Sequence, residues 1–412
     1  MLLRNRPIVE SSPALLARGY AWLPDLWRRT GEPLVRVRLL GRHAVALRGP
    51  DAVRFFYDED HIRRGPALPE PVLSTLFGHG AVHTLDGDAH RARKRLFVAL
   101  LMDPDGIDRL VGHFRTAWDE AAASWGKRPS VVLFDEAAEV ITRAVCRWAG
   151  VPLDDAGGGP LARDLIAMVD GFATAGPRHW RARAARRRRE DRLAGVVEAV
   201  RDGAPGVSPD SALAAVARHR DADGRTLDPR VAAVEVLNVI RPAAAVAWFA
   251  AFAAHALHLW PEHRGPLAAG DAAYAEAFAQ EVRRFYPFAP FTGGQAVRDL
   301  TWRGEPIPAG ATVLLDLYGQ DHDGSLWPRP YAFDPGRFLG REIDPDLLVP
   351  QGGGDPRTGH RCPGELITVA LLKEFATGLA RLRYEVPDQD LSISLRRIPA
   401  RPRSGFVMAE VG

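Results

Sequence analysis

The feature that most constrains this chain is Cys362, set between the glycine-rich stretch QGGGDPRT (351–358) and the helical run ELITVALLKEFATGLA (365–380). Such a loop must turn sharply and deliver its sulfur to the start of a helix. Pro363 is expected at the first helical position, where a missing N–H does no harm. The positive end of the helix then favours thiolate over thiol. A buried thiolate with one open face suits axial ligation of haem iron, where it donates electron density and favours O–O cleavage. Taken alone, Cys362 also reads as a structural cysteine capping a helix. The flanking His-x-Cys-x-Gly pattern of His360, Cys362 and Gly364 favours the metal-ligating reading.

Composition sets the frame. The 412 residues suffice to bury a large core and a cofactor. The apolar fraction of 46% and charged fraction of 25% are those of a globular protein. The net charge of +3 is too small to argue for nucleic-acid binding. Two cysteines, Cys146 and Cys362, make no disulfide framework. Cys146 lies in the apolar helical pattern VITRAVCRWAG and reads as packed and inert. MLLRNRPIVESSP shows no signal-peptide pattern. The most apolar window, Pro242 to Ala254, is too short to span a bilayer and follows Arg241. The expectation is a cytoplasmic protein with no membrane anchor.

The pattern predicts one mainly α domain with small β-sheets over residues 1–412. Leu34 to Arg48 alternates like a hairpin turning at Gly41. From Asp51 the chain reads mostly as amphipathic helices punctuated by Gly and Pro. DDAGGGP (154–160) and RDGAPGVSPDS (201–211) have loop compositions. Asp228-Pro229 is a strong helix start, opening a long central helix over about 229–258. TWRGEPIPAGATVLLDLYG (301–319) reads as a small β-unit. The basic run RARAARRRREDR (181–192) reads as a solvated helix face. His255 and His258 read as ordinary helix-end residues, and Asp321-His322-Asp323 as a solvated turn. Gly352 to Gly354 lacks the Lys-Ser/Thr of a phosphate loop.

Arg241-Pro242 interrupts the central helix inside VLNVIRPAAAVAWF. Proline there deletes an intrahelical bond and kinks the helix, at about 3 kcal/mol. An arginine amid apolar residues is unfavourable unless it meets an anion. Two adjacent unfavourable choices suggest a site. Two readings stay open on residues alone: an external anion, or an internal carboxylate such as Glu235.

Four segments in order resemble the cytochrome P450 superfamily. GHRCPGE resembles the haem-binding loop (351–364 here). Glu281-Val-Arg-Arg284 resembles the E-x-x-R motif, and Phe333-Asp-Pro-Gly-Arg337-Phe338 the segment completing its ion-pair network. Asp86-Gly-Asp-Ala-His90-Arg-Ala-Arg-Lys94 resembles the helix whose His and basic residue hold the haem propionates. Most superfamily members carry Phe seven residues before the cysteine. Here that position is Asp355, as in the bacterial fatty-acid peroxygenase branch. RRFYPFAPF, LLDLYG, SGFVM, LLGRHAVAL and VRFFYDED are similar to that branch too, so the resemblance runs nearly end to end.

The resemblance implies the superfamily's single-domain fold and haem b ligated by Cys362, with His90, Lys94 and His360 also binding the cofactor. It implies hydrogen peroxide as co-substrate and a long-chain fatty acid as substrate, with no need of a redox partner. Arg241 and Pro242 replace the acid-threonine pair of conventional members. Arg241 then binds the fatty-acid carboxylate, which serves as the general acid-base for peroxide. His83 occupies a position that carries Gln or His in the branch. The His type resembles members that also decarboxylate fatty acids to terminal alkenes, beside hydroxylation at Cα or Cβ. Phe77, Phe288 and Phe291 fall where the branch lines its acyl channel. The competing readings are a conventional monooxygenase fed by a redox partner, and a non-catalytic haem sensor or fatty-acid carrier.

Overall fold

The computed structural model describes residues 10–153, 158–172 and 174–412. The central helix begins as expected: Asp228 accepts from Arg230 N at 2.8 Å and Pro229 occupies the first turn. It runs over Pro229–Ala244 and resumes as Val246–Leu259. Every residue from Ala232 to Ala254 is buried except Pro242. A helix apolar all round must lie inside a core, and this one is packed by the Leu133–Ala149, Pro177–Arg201, Ala272–Phe285 and Glu365–Arg381 helices. Phe134 meets Trp248 edge-on at 4.7 Å. Truncating a buried aromatic such as Phe252 to alanine removes about 3–5 kcal/mol. The span Pro229–Leu259 is long and apolar enough to cross a membrane, but it is buried inside the protein.

The main sheet is mixed and lies beside this helical body. Its strand order is Val35–Leu39, Arg42–Leu47, Thr312–Asp316, Phe291–Ala296, Ile62–Arg63. The expected hairpin is present, with a two-residue turn at Leu40-Gly41, both at positive φ (50° and 77°). The Arg42–Leu47 strand then pairs in parallel with Thr312–Asp316, and Phe291 pairs opposite Asp316. Leu300–Trp302 and Glu305–Ile307 form a separate ribbon, so the 301–319 unit is β until Leu317, where a short helix Leu317–Asp321 begins.

Several expectations need correction. The helix after the cysteine starts at Glu365 with Gly364 as its cap, so Pro363 lies in the preceding turn and not at the first helical position. The interruption of the central helix falls at Ala245, three residues past Pro242. Asp321 and His322 are buried: Asp321 accepts from Val349 N, and His322 lies 2.9 Å from Tyr318 O and 3.1 Å from Phe285 O. The basic run is not uniformly solvated, because Arg186 is 2% exposed. In DDAGGGP, residues 154–157 lie outside the described residues, and Gly159 already opens the Gly159–Gly171 helix. Cys146 is buried as expected, and burial pushes its thiol up to about 12.

Candidate active site

A buried scaffold fixes the cysteine loop. Glu281 and Arg284, three apart on the Ala272–Phe285 helix, form a bidentate pair with both contacts at 2.7 Å and no solvent exposure. Arg284 also donates to Asp321 O and Pro330 O, and Glu281 accepts from Asp334 N, which ties in the Phe333–Phe338 segment. Arg337 Nε stands 3.5 Å from Glu281. The adjacent Arg283 pairs with Glu365, which also holds Arg361 at 2.7 Å. The loop's glycines are demanded by contact. A Cβ at Gly353 would stand 2.2 Å from Val53 Cγ1, and one at Gly352 (φ +93°) would stand 2.6 Å from the Tyr57 hydroxyl. Gln351 Nε2 lies 3.9 Å from Cys362 Sγ and bonds Thr368 at 3.0 Å.

Cys362 lines a cavity of ≈ 890 Å³. On one side of it stand His90 and His360, stacked at 3.9 Å, with Lys94 and Arg64. Buried nitrogens here have no partner: His90 Nδ1, His360 Nε2 and Arg64 Nε. Lys94 donates to Arg361 O at 2.7 Å. Burial pulls Lys94 down to about 8 and His90 to about 3. Asp86, 3.8 Å from His360 Nε2, spends its oxygens on the backbone N–H groups of Arg64 and Gly65.

Burial pushes the Cys362 thiol up, against the Gly364 N–H and the cations Lys94 and Arg283. The helix terminus therefore does not secure the thiolate alone, since desolvation outweighs it; a metal deprotonates a coordinating thiol outright. The donor set fits a haem. One sulfur faces an apolar space bordered by Phe97, Leu101, Val246 and Ile367, and a cluster of unsatisfied donors stands where carboxylates would meet them.

The central helix also lines this cavity. Arg241 lines the cavity and is 5% exposed. Its Nη2 donates to Asn238 Oδ1 at 3.3 Å, and its buried Nε has no partner among the described residues. Glu235 does not pair with it. Glu235 instead accepts from Arg93 Nη1 at 2.6 Å, Val82 N at 2.7 Å and Asn238 Nδ2 at 3.0 Å. The internal carboxylate Glu235 is therefore already taken. Burial, then the charge of Arg186, pulls Arg241 down to about 9.

His83 lines the same cavity, stacked on Phe77 at 4.1 Å, with Nδ1 buried and unpartnered. Burial, then Arg241, holds its imidazole well below the ordinary histidine range. Desolvation and the neighbouring cation therefore favour the neutral ring. Pro242, Phe288 and Phe291 line the cavity as well, and Phe288 packs on Phe249 at 4.7 Å. The fold thus brings every sequence-predicted site residue to one cavity. Sequence reasoning missed Arg64, Asn238 and Arg186. Asn238 had a readable signal, one turn before Arg241 on the same helix face.

The cytochrome P450 family model matches residues 270–402. Among solved structures, cytochrome P450SP alpha in complex with (R)-ibuprofen is 42% identical, with 98% of this chain and 99% of that chain covered at a TM-score of 0.94. Ligand-free cytochrome P450 OleT is 35% identical, with 99% and 98% covered at a TM-score of 0.95. Cytochrome P450EX alpha with myristic acid is 35% identical, with 99% and 98% covered at 0.93. With the E-x-x-R pair, the cysteine loop and the Arg-Pro wall in place, the chain belongs to the cytochrome P450 family, and within it to the fatty-acid peroxygenase branch that its motifs resemble.

Proposed function

We propose that this protein uses hydrogen peroxide to hydroxylate long-chain fatty acids at Cα or Cβ and to decarboxylate a share of them to terminal alkenes. The observation that carries this reading is Arg241: a buried guanidinium facing the cavity, with an unpartnered nitrogen and its nearest internal carboxylate engaged elsewhere. A guanidinium presents a planar fork of donors that matches a carboxylate bidentately. Phe77, Phe288 and Phe291 supply apolar walls for the acyl chain, as a long-chain acid requires.

Each residue has a role in this account. Arg241 binds the carboxylate and so fixes Cα and Cβ beside the cofactor, which sets regiochemistry by position. The bound carboxylate takes a proton from peroxide and returns one to the leaving oxygen. Pro242 removes an N–H from the helix at the point where Arg241 turns to the cavity. His83, held neutral, gives and accepts one hydrogen bond each beside the carboxylate. His90, Lys94, His360 and Arg64 would hold the carboxylates of a haem, and Cys362 would ligate its iron. When bound, the haem supplies O–O cleavage and oxidation of the C–H bond. Hydroxylation converts acid and peroxide to hydroxy acid and water. Decarboxylation converts them to an alkene one carbon shorter, carbon dioxide and two waters.

This chemistry draws its oxidising equivalents from peroxide, so no redox partner is required, and we place the enzyme in the cytoplasm. The experiment is a pair of binding titrations on the haem-loaded protein with hexadecanoic acid and its methyl ester. The acid binds and the ester does not. Equal binding of both would remove the carboxylate from the account.

A further inference from the structure

We propose that Arg186 is a positioning residue for this reaction: it fixes the backbone of Thr75 to Phe77 and thereby sets both the Phe77–His83 stack and the orientation of Arg241. The inference rests on the peroxygenase reading above. Arg186 belongs to the Pro177–Arg201 helix, the most arginine-rich stretch of the chain, whose other arginines are exposed or half-buried. It is turned inward and 2% exposed. Its Nε pairs with Glu190 at 2.6 Å, one turn along the same helix. Its two terminal nitrogens reach across to a different segment, with Nη1 donating to Leu76 O at 2.6 Å and Nη2 to Phe77 O at 2.8 Å. A longer contact of 3.5 Å reaches Thr75 O.

Those carbonyls belong to the segment that roofs the cavity. Phe77 O also accepts from Asn238 Nδ2 at 3.0 Å, and the Oδ1 of the same amide accepts from Arg241 Nη2 at 3.3 Å. One carbonyl therefore joins Arg186 to Arg241 through a single side chain. The ring of Phe77 stacks on His83, so the same carbonyl also anchors the imidazole. Gly78 makes the approach possible: a Cβ there would stand 2.2 Å from Arg186 Nη2. Only a planar fork satisfies Glu190 and two carbonyls at once; an ammonium offers three donors from one point and cannot span them.

A helix-packing role alone would predict lost stability and nothing else. Arg201, at the end of the same helix, supplies the control. It too donates to two carbonyls, Ala217 O at 2.8 Å and Leu227 O at 2.7 Å, but neither acceptor lines the cavity, whereas Leu76 and Phe77 do.

The test compares Arg186→Lys with Arg201→Lys in the haem-loaded enzyme, reading melting temperature, fatty-acid affinity by calorimetry, kcat, KM and the Cα:Cβ:alkene product ratio. Both variants should melt lower than wild type. Arg186→Lys should also lose at least about tenfold in kcat, as misplacement of reacting groups does, weaken fatty-acid binding several-fold and change the product ratio. Arg201→Lys should keep all three. An Arg186→Lys enzyme that melts lower but keeps wild-type kcat, affinity and product ratio would overturn the inference while leaving the peroxygenase reading intact. A wild type that turns over no fatty acid would overturn that reading, and this inference with it.

Discussion

Replacing Arg241 with methionine should make the ligand-free enzyme more stable and at the same time blind to fatty acids. The guanidinium is 5% exposed, has one neutral partner at 3.3 Å, and feels the like charge of Arg186. A buried charge without a counter-ion is unfavourable, and well-packed apolar replacements of buried charges gain about 1–4 kcal/mol. Methionine fills similar volume with a flexible apolar chain. Conversely, truncating one partner of a buried charge pair weakens a complex by about 2–5 kcal/mol, roughly 30-fold to 4,000-fold in affinity. The assay is a thermal melt of the haem-loaded protein with and without hexadecanoic acid. Wild type should melt higher with the acid, since a ligand that binds only the folded state stabilises it. Arg241→Met should melt above ligand-free wild type and show no shift with the acid. A variant that melts lower without ligand, or still shifts with it, would refute the reasoning.

Three further outcomes follow. His83→Gln should lower the alkene share of the products, and wild-type kcat/KM should show no histidine step between pH 6 and 8, because burial and Arg241 keep the free-enzyme imidazole neutral; a step near 6.5 that vanishes in the variant would contradict this. His255 and His322 are both held down to about 4 by burial. The fold keeps them neutral while the unfolded chain takes up protons below about 6.5, so stability falls as pH drops from 6.5 to 5, by about 2 kcal/mol per residue; urea unfolding at the two pH values should show the loss, and His255→Gln should reduce it. Leu40→Asn should raise the melting temperature: Leu40 is 79% exposed at φ +50°, where a branched side chain is disfavoured by about 1 kcal/mol and asparagine is at home. A lower melting temperature would count against that.

What could be read from the sequence was what is written locally. The Asp228-Pro229 start, the hairpin at Gly41, the Glu281–Arg284 pair and the cysteine loop each depend on neighbours within a few positions. The fate of Glu235 does not. Its partner Arg93 lies 142 positions away, so residue order alone could not decide between Arg93 and Arg241. The same reason hid Arg186, whose carbonyl acceptors are more than a hundred positions distant. Pro363 and Ala245 were misplaced by a few residues because a helix boundary is fixed by which carbonyls find donors. Composition suggests a boundary without settling it. Asp321 and His322 looked solvated because a polar triplet carries no mark of the backbone groups that will bury it. The lowered basicity of His83 is likewise absent from a list of residues, since it comes from desolvation by the folded core.

The most direct test of the central claim is a turnover experiment with haem-loaded protein, hexadecanoic acid and hydrogen peroxide labelled with heavy oxygen, without reductase or reduced nicotinamide cofactor, analysed by mass spectrometry. The account predicts 2- or 3-hydroxyhexadecanoic acid carrying the label, with pentadecene as the decarboxylation product, and loss of all of them in Arg241→Met. No product until a reductase and its electron donor are added would contradict it, as would hydroxy acid without the label.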